Sequence, residues 1–219
     1  VSKGLFITFE GTEGCGKSTQ VDLLTQQLRK LGYQNVLTLR EPGGTAIGEE
    51  IRHTLKHSKS NAAMTAEAEL LLMNASRAQL VREIIRPALN AGRIILSDRF
   101  HDSTTAYQGH GRQLDLKMVK TVIDVAVGGT MPDLTLLLTV PPEISELRVA
   151  MRQSSLPFMR DRMEEADKKF FERVTKGYDA IAAAEPDRVR VVDGSGSAES
   201  TFAKIWELVQ PVLPRIGRW

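Results

Sequence analysis

Gly11, Thr12, Glu13, Gly14, Cys15, Gly16, Lys17, Ser18 and Thr19 form the stretch GTEGCGKST, whose residue types and spacing suit the binding of phosphate. Gly11 and Gly16, followed by Lys17 and Ser18, fit the Walker A pattern. The glycines let backbone N–H groups turn toward an anion, and a helix starting at Lys17 adds the positive end of its dipole. Lys17 can neutralise β- and γ-phosphates, and Ser18 can hold magnesium. The pattern implies a nucleoside triphosphate site, with an ordinary glycine turn as the alternative. Glu13 is out of keeping with an anion cradle. Its carboxylate would repel phosphate oxygens, so it must turn away, toward the acceptor of the reaction or toward water around magnesium. An exposed acid without contacts is the alternative.

RIILSD, Arg93 to Asp98, delivers a second carboxylate at the C-terminal end of an apolar strand, where open α/β sheets bind ligands. Asp98 there would sit near the magnesium, partly through water, and a role in capping the next helix is compatible with that. Arg99 follows at once, and the stretch from Leu147 adds Arg148, Arg152, Arg160 and Arg162. Phosphoryl transfer spreads negative charge over the oxygens in flight, so a kinase needs several cations converging from separate elements. A solvated helix face is the alternative for any one of them. The serines and proline of SSLP fit a flap that closes to keep water from the donor.

These residues have to be positioned by strands and helices that alternate along the chain. LFITFEG reads as a buried strand and Lys17 to Leu31 as a helix closed by Gly32. NVLTLR is a second strand, followed by a short helix to about Lys56, a polar break at HSKSNAA, and a longer helix from Thr65 that Pro87 should kink. RIILSD is the third strand. Asp115 looks like the cap of a helix to about Val127, and DLTLLLTV is a strand stopped by Pro141 and Pro142. Helices over Glu143 to Arg152 and Arg162 to Ala184, a strand RVRVVDG and a helix from Ala198 to Ile216 complete the series. Five apolar strands separated by helices imply an α/β fold with a mostly parallel sheet covered on both faces. No repeat or linker divides residues 1–219, so a single domain is expected.

The 219 residues, 42% hydrophobic and 26% charged, suit one globular domain with a real core. A formal net charge of +2, with no block of five consecutive basic residues, argues against a nucleic-acid surface. No apolar run reaches the 18 or so residues of a membrane span. One cysteine rules out an internal disulfide framework and suits a reducing, cytoplasmic setting. His53, His57, His101 and His110 have no metal-ligand spacing, and Glu164, Glu165 and Asp167 read first as a solvated helix face. The apolar ELLLM could line a site, the core or a dimer interface.

The succession FEGTEGCGKST, REPGGT, ELLLMNASRAQ, SDRFHDSTTAYQGHGR, PDLTLLL and DRMEEADKKFF resembles the bacterial thymidylate kinases, in family order over nearly the whole chain. The resemblance implies the P-loop nucleoside monophosphate kinase fold with strand order 2-3-1-4-5, a short arginine-bearing LID at about 148–163, a homodimer, and transfer from Mg-ATP to dTMP, giving dTDP and ADP. It puts Arg40 and Arg99 at the acceptor phosphate, where two guanidinium forks suit a dianion. It puts Arg77 at a thymine carbonyl, Thr104 and Gln108 beside the base, and Tyr107 against the 2′ position of the sugar. Met73 stands where the family stacks an aromatic ring on thymine, and a polarizable thioether can lie against a ring. Glu13 matches the type of thymidylate kinase whose phosphate loop carries an acid and no arginine, the catalytic arginine coming from the LID. Arg162 matches that position, with Arg152 and Arg160 behind it, and Glu164 or Glu165 matches a carboxylate that meets the acceptor sugar. Two competing readings remain: a kinase for another deoxynucleotide or nucleoside, and an ATPase used as a binding switch. The switch leaves REPGG and the LID arginines unexplained.

Overall fold

The computed structural model describes residues 4–155 and 167–214. Its centre is a five-stranded, all-parallel sheet in the order β2-β3-β1-β4-β5, made of β1 (Leu5–Glu10), β2 (Val36–Arg40), β3 (Ile94–Asp98), β4 (Leu134–Thr139) and β5 (Val189–Asp193). This is the order that the family resemblance implies. β1 is buried along its whole length, as a central parallel strand covered on both faces must be.

Alternation along β1 sorts the core. Leu5, Ile7 and Phe9 pack with Leu24 and Leu28 of α1 (Lys17–Lys30) and Ile205 of α9 (Ala198–Val209). Phe6 packs on the other face with Leu70 and Leu80 of α3 (Ala66–Leu80) and Ile123 of α6 (Leu116–Val127), reached through α2 (Ala46–Lys56) and α4 (Arg86–Asn90) along the chain. Toward the C-terminal end of β1 this second face turns polar. Thr8 Oγ1 lies 2.8 Å from Thr135 Oγ1, and Glu10 is fully buried. The remaining helices, α5 (His101–Thr104), α7 (Pro142–Ser155) and α8 (Lys168–Ala184), stand around that polar end.

Several boundaries differ from the sequence reading for local reasons. The irregularity expected at Pro87 precedes it, as a π-helical turn over Val81–Ile85 in which Arg86 N–H donates to Val81 O. A proline lacks the N–H that would continue the α pattern, so the helix widens by one residue before it. HSKSNAA contains a 3-10 turn, Lys59–Ala63, capped by Ser58 and tied down by Asn61 Nδ2 donating to Leu55 O at 2.9 Å. The last helix ends at Val209 and not at Ile216, because Pro211 withholds its N–H. The expected helix from Arg162 is seen from Lys168 onward, starting at an Asp167 side chain that accepts from Phe170 N–H. Arg160, Arg162, Glu164 and Glu165 lie outside the described residues. Between β3 and Asp115 the element reading has nothing, yet the chain forms α5 and then a π-helical stretch, Thr105–Gly111.

Candidate active site

The strands bring the site residues together at their C-terminal ends. β1 and β3 are paired through Phe9 and Asp98, so the loop after β1 and the Arg99 turn after β3 start side by side. Gly14 takes φ +72, and a Cβ there would sit 2.7 Å from Ser145 O, so the loop closes on α7 only with glycine. Gly16, at φ 99, turns the chain into α1. Lys17 Nζ reaches back across the loop to Thr12 O at 2.8 Å and Gly11 O at 3.2 Å, with Cys15 Sγ at 3.5 Å. Ser18 Oγ donates to Asp98 Oδ2 at 2.5 Å.

Two spaces open on either side of this loop. A cleft is lined by Gly14, Gly16, Lys17, Ser18 and Thr19, by Asp98, and by the cations Arg40, Arg148 and Arg152. A smaller cavity is lined by Met73, Arg77, Thr104, Tyr107 and Gln108, with Glu41 and Pro42. Glu13, Glu41, Lys56 and Arg99 line both. Gly11, Thr12 and Cys15 stand behind the loop surface, Thr12 facing a third space between α7 and α8.

Arg99 is the join. Its backbone sits at φ 74, a conformation that costs a non-glycine residue of order 1–3 kcal/mol and is held only where the surroundings enforce it. The guanidinium donates through Nη1 to Gly11 O and Ser103 Oγ, both at 2.9 Å, and through Nη2 to Glu13 Oε1 at 2.7 Å and the Tyr107 hydroxyl at 3.2 Å. Its charge lies 5.0 Å above the Tyr107 ring. Burial works against the charge of Glu13, but Arg99, Lys17, Lys56 and Arg152 outweigh it and hold the carboxyl below its ordinary range. Arg152 Nη1 is 4.0 Å from Glu13 Oε2. Arg148 donates to Gly194 O and Gly196 O, tying α7 to the loop after β5. Arg40, more than half exposed, pairs with Glu49 at 2.9 Å.

Four acids and hydroxyls that the sequence reading passes over hold this arrangement. Glu10 accepts from Phe100 N–H at 2.7 Å, Ser103 Oγ at 2.5 Å and the Tyr178 hydroxyl at 2.9 Å, and so fixes the turn carrying Arg99. Burial raises its pKa, with Asp102 adding to the effect and Arg99 opposing it. An acid ending an otherwise apolar strand is a signal visible in LFITFE. Tyr178, 168 positions away, gives none. Glu41 accepts from Arg77 Nε at 2.8 Å, both side chains being 3% exposed.

Burial pushes Glu41 up to about 7 from 4.5, against the pull of Arg77. The unfolded carboxyl gives up its proton near 4.5 and the folded one near 7, so Glu41's contribution as a neutral acid is complete below pH 4.5 and is lost as pH rises through 7. The loss amounts to about 3 kcal/mol. Glu41→Gln should remove it: in urea unfolding, the variant gains on the unsubstituted chain by up to that amount between pH 5 and 8. Parallel profiles would contradict the assignment.

A family model described as Thymidylate kinase matches residues 9–205. The chain is 45% identical over 210 residues to a thymidylate kinase of Synechococcus sp., covering 96% of each chain. It is 44% identical over 213 residues to one of Geobacter sulfurreducens, covering 97% of this chain and 99% of that one. A crystal structure of thymidylate kinase from Ehrlichia chaffeensis superposes with a TM-score of 0.77 at 30% identity, covering 95% of this chain and all of that one. The sheet order, the phosphate loop beside the Arg99 turn and these similarities agree: the chain belongs to the thymidylate kinase family.

Proposed function

We infer that the protein transfers a phosphoryl group from ATP to dTMP, forming dTDP and ADP. The observation that carries this is the ion pair of Glu13 and Arg99, which together with Glu41 and Lys56 lines both the loop cleft and the smaller cavity. A donor in one and an acceptor in the other would meet at these two side chains, which is the positioning that phosphoryl transfer chiefly needs. Lys17 and the N-terminus of α1 serve the donor phosphates. Arg99, which lines both spaces, and Arg40, from the cleft side, bind the acceptor phosphate where the two spaces join, and the Arg99 fork neutralises charge as the group moves. Glu13 orients Arg99 and faces the acceptor sugar. Arg152 joins it from α7, and Arg162 remains proposed as the LID's catalytic arginine.

The convergence of the Ser18 hydroxyl and the Asp98 carboxylate fits a hard cation, Ser18 directly and Asp98 partly through water. Magnesium bound there supplies charge neutralisation for the donor phosphates. Met73, Arg77, Thr104, Tyr107 and Gln108 enclose the base and sugar. We read residues 1–219 as one domain with a LID at about 148–163. Exposed Leu71 on α3 and Val125 on α6 support a homodimer. Among the described residues no helix is long and apolar enough to cross a membrane, and the single, buried Cys15 suits the cytoplasm.

A coupled ADP-release assay tests the reading. ADP should form only when dTMP is supplied; release independent of any acceptor would favour an ATPase switch. The base cavity has its own test. Met73→Phe should lower the KM for dTMP several-fold, by roughly the 1 kcal/mol of an added aromatic contact, with kcat unchanged. An unaltered KM would mean that Met73 does not face the base.

A further inference from the structure

Gln108 lines the smaller cavity, and an amide can in principle turn either its oxygen or its nitrogen inward. Its surroundings remove that freedom. Glu69, fully buried on α3, accepts from Gln108 Nε2 at 2.8 Å and, on the same carboxylate, from Arg112 Nε at 3.2 Å and Nη2 at 3.0 Å. Arg112 is itself held 4.7 Å above the Phe170 ring. A guanidinium only donates and a carboxylate only accepts. Polarity therefore runs one way along the row: Arg112 gives to Glu69, Glu69 takes the amide N–H of Gln108, and the Gln108 oxygen is left for the cavity.

We propose that Glu69 is a positioning residue that sets which base the cavity accepts, by fixing the amide of Gln108 with its carbonyl oxygen inward. This rests on the dTMP kinase reading. An inward acceptor matches the N3–H of a thymine or uracil imide and opposes the N3 lone pair of cytosine. Arg77 supplies the complementary sign. Four of its five N–H groups are taken by Glu41, Asn74, Thr104 and Phe100 O, which leaves one for the imide carbonyl. Cytosine carries an amino group there.

The arrangement makes Glu69→Gln an inverting substitution. Arg112 would hold the new amide by its oxygen, so its nitrogen would donate to the Gln108 oxygen and turn the Gln108 N–H groups into the cavity. The expected result is a fall in kcat/KM for dTMP of about 30-fold, mostly in KM, with the dTMP:dCMP ratio narrowing by about 100-fold. The dTMP:dUMP ratio should stay as it is, because the two bases share the N3 edge. A merely structural role would lower all three acceptors in proportion, and an unchanged dTMP:dCMP ratio would overturn the proposal. If Glu69→Gln does not fold, the double substitution Glu69→Met with Arg112→Met removes the ion pair with apolar groups of similar length. Gln108 would then be free to turn, and the dTMP:dCMP ratio should narrow by about tenfold; no narrowing overturns the proposal equally. Absence of dTMP turnover in the unsubstituted chain would instead be a failure of the kinase reading.

Discussion

Arg99→Lys is expected to reduce kcat with dTMP by about 1000-fold, at the lower end of what a charge-stabilising arginine contributes to phosphoryl transfer. The charge is kept, so the loss measures geometry. Arg99 distributes its donors among Gly11 O, Ser103, Tyr178, Glu13 and Tyr107, which come from the phosphate loop, α5, the π-helical stretch and α8. A lysine is a compact charge with three rotatable donors and cannot reproduce that fork. It would still pair with Glu13, which limits the damage to folding to a few degrees in thermal midpoint. The effect should fall on kcat more than on the KM for ATP, because the contact matters most while charge is moving. A drop below tenfold, with an equal loss of stability, would make Arg99 a structural tie.

Lys17→Met is expected to lower kcat by about 100- to 1000-fold, the range found when one donor to developing charge is removed. Lys17 Nζ now donates to Gly11 O and Thr12 O across the loop, and the side chain is 6% exposed. Methionine fills the same volume but leaves those carbonyls without their donor. Loss of these two hydrogen bonds, one buried and one partly buried, should cost about 1–3 kcal/mol in the nucleotide-free protein. Circular dichroism and urea unfolding separate that cost from the catalytic one. Turnover within tenfold of the unsubstituted chain would mean that the loop N–H groups and the arginines carry the donor phosphates without it.

How much of this was legible follows from how local each signal is. β1, the phosphate loop and α1 are contiguous, and apolar alternation and glycine spacing specify them together. The parallel sheet was equally readable, because each strand is a short apolar run between helices; its order came through the family resemblance. Asp115 and Asp167 illustrate the limit: both cap helices through a carboxylate accepting the N–H three residues on. Only Asp115 stands out in the sequence, since the expected helix starts at Arg162 and runs past Asp167. ELLLM resolved into distinct fates along one helix: Leu70 is in the core, Leu71 exposed and Met73 on the cavity. Periodicity cannot divide them without the neighbouring elements. The buried acids were harder still. Glu10, Glu41 and Glu69 sit beside recognised motifs, but their partners Tyr178, Arg77 and Gln108 are brought to them by the tertiary fold.

The most direct test is a comparison of kcat/KM with Mg-ATP across dTMP, dUMP, dCMP, dGMP, AMP and thymidine. The proposed inward Gln108 oxygen, a single remaining Arg77 donor and the proposed place of Tyr107 at the sugar favour a deoxynucleotide with an imide base. dTMP is therefore expected to be turned over best, dUMP next, and dCMP, the purine nucleotides and thymidine at least about 100-fold less well. Turnover of any other acceptor equal to or better than dTMP would contradict the assignment.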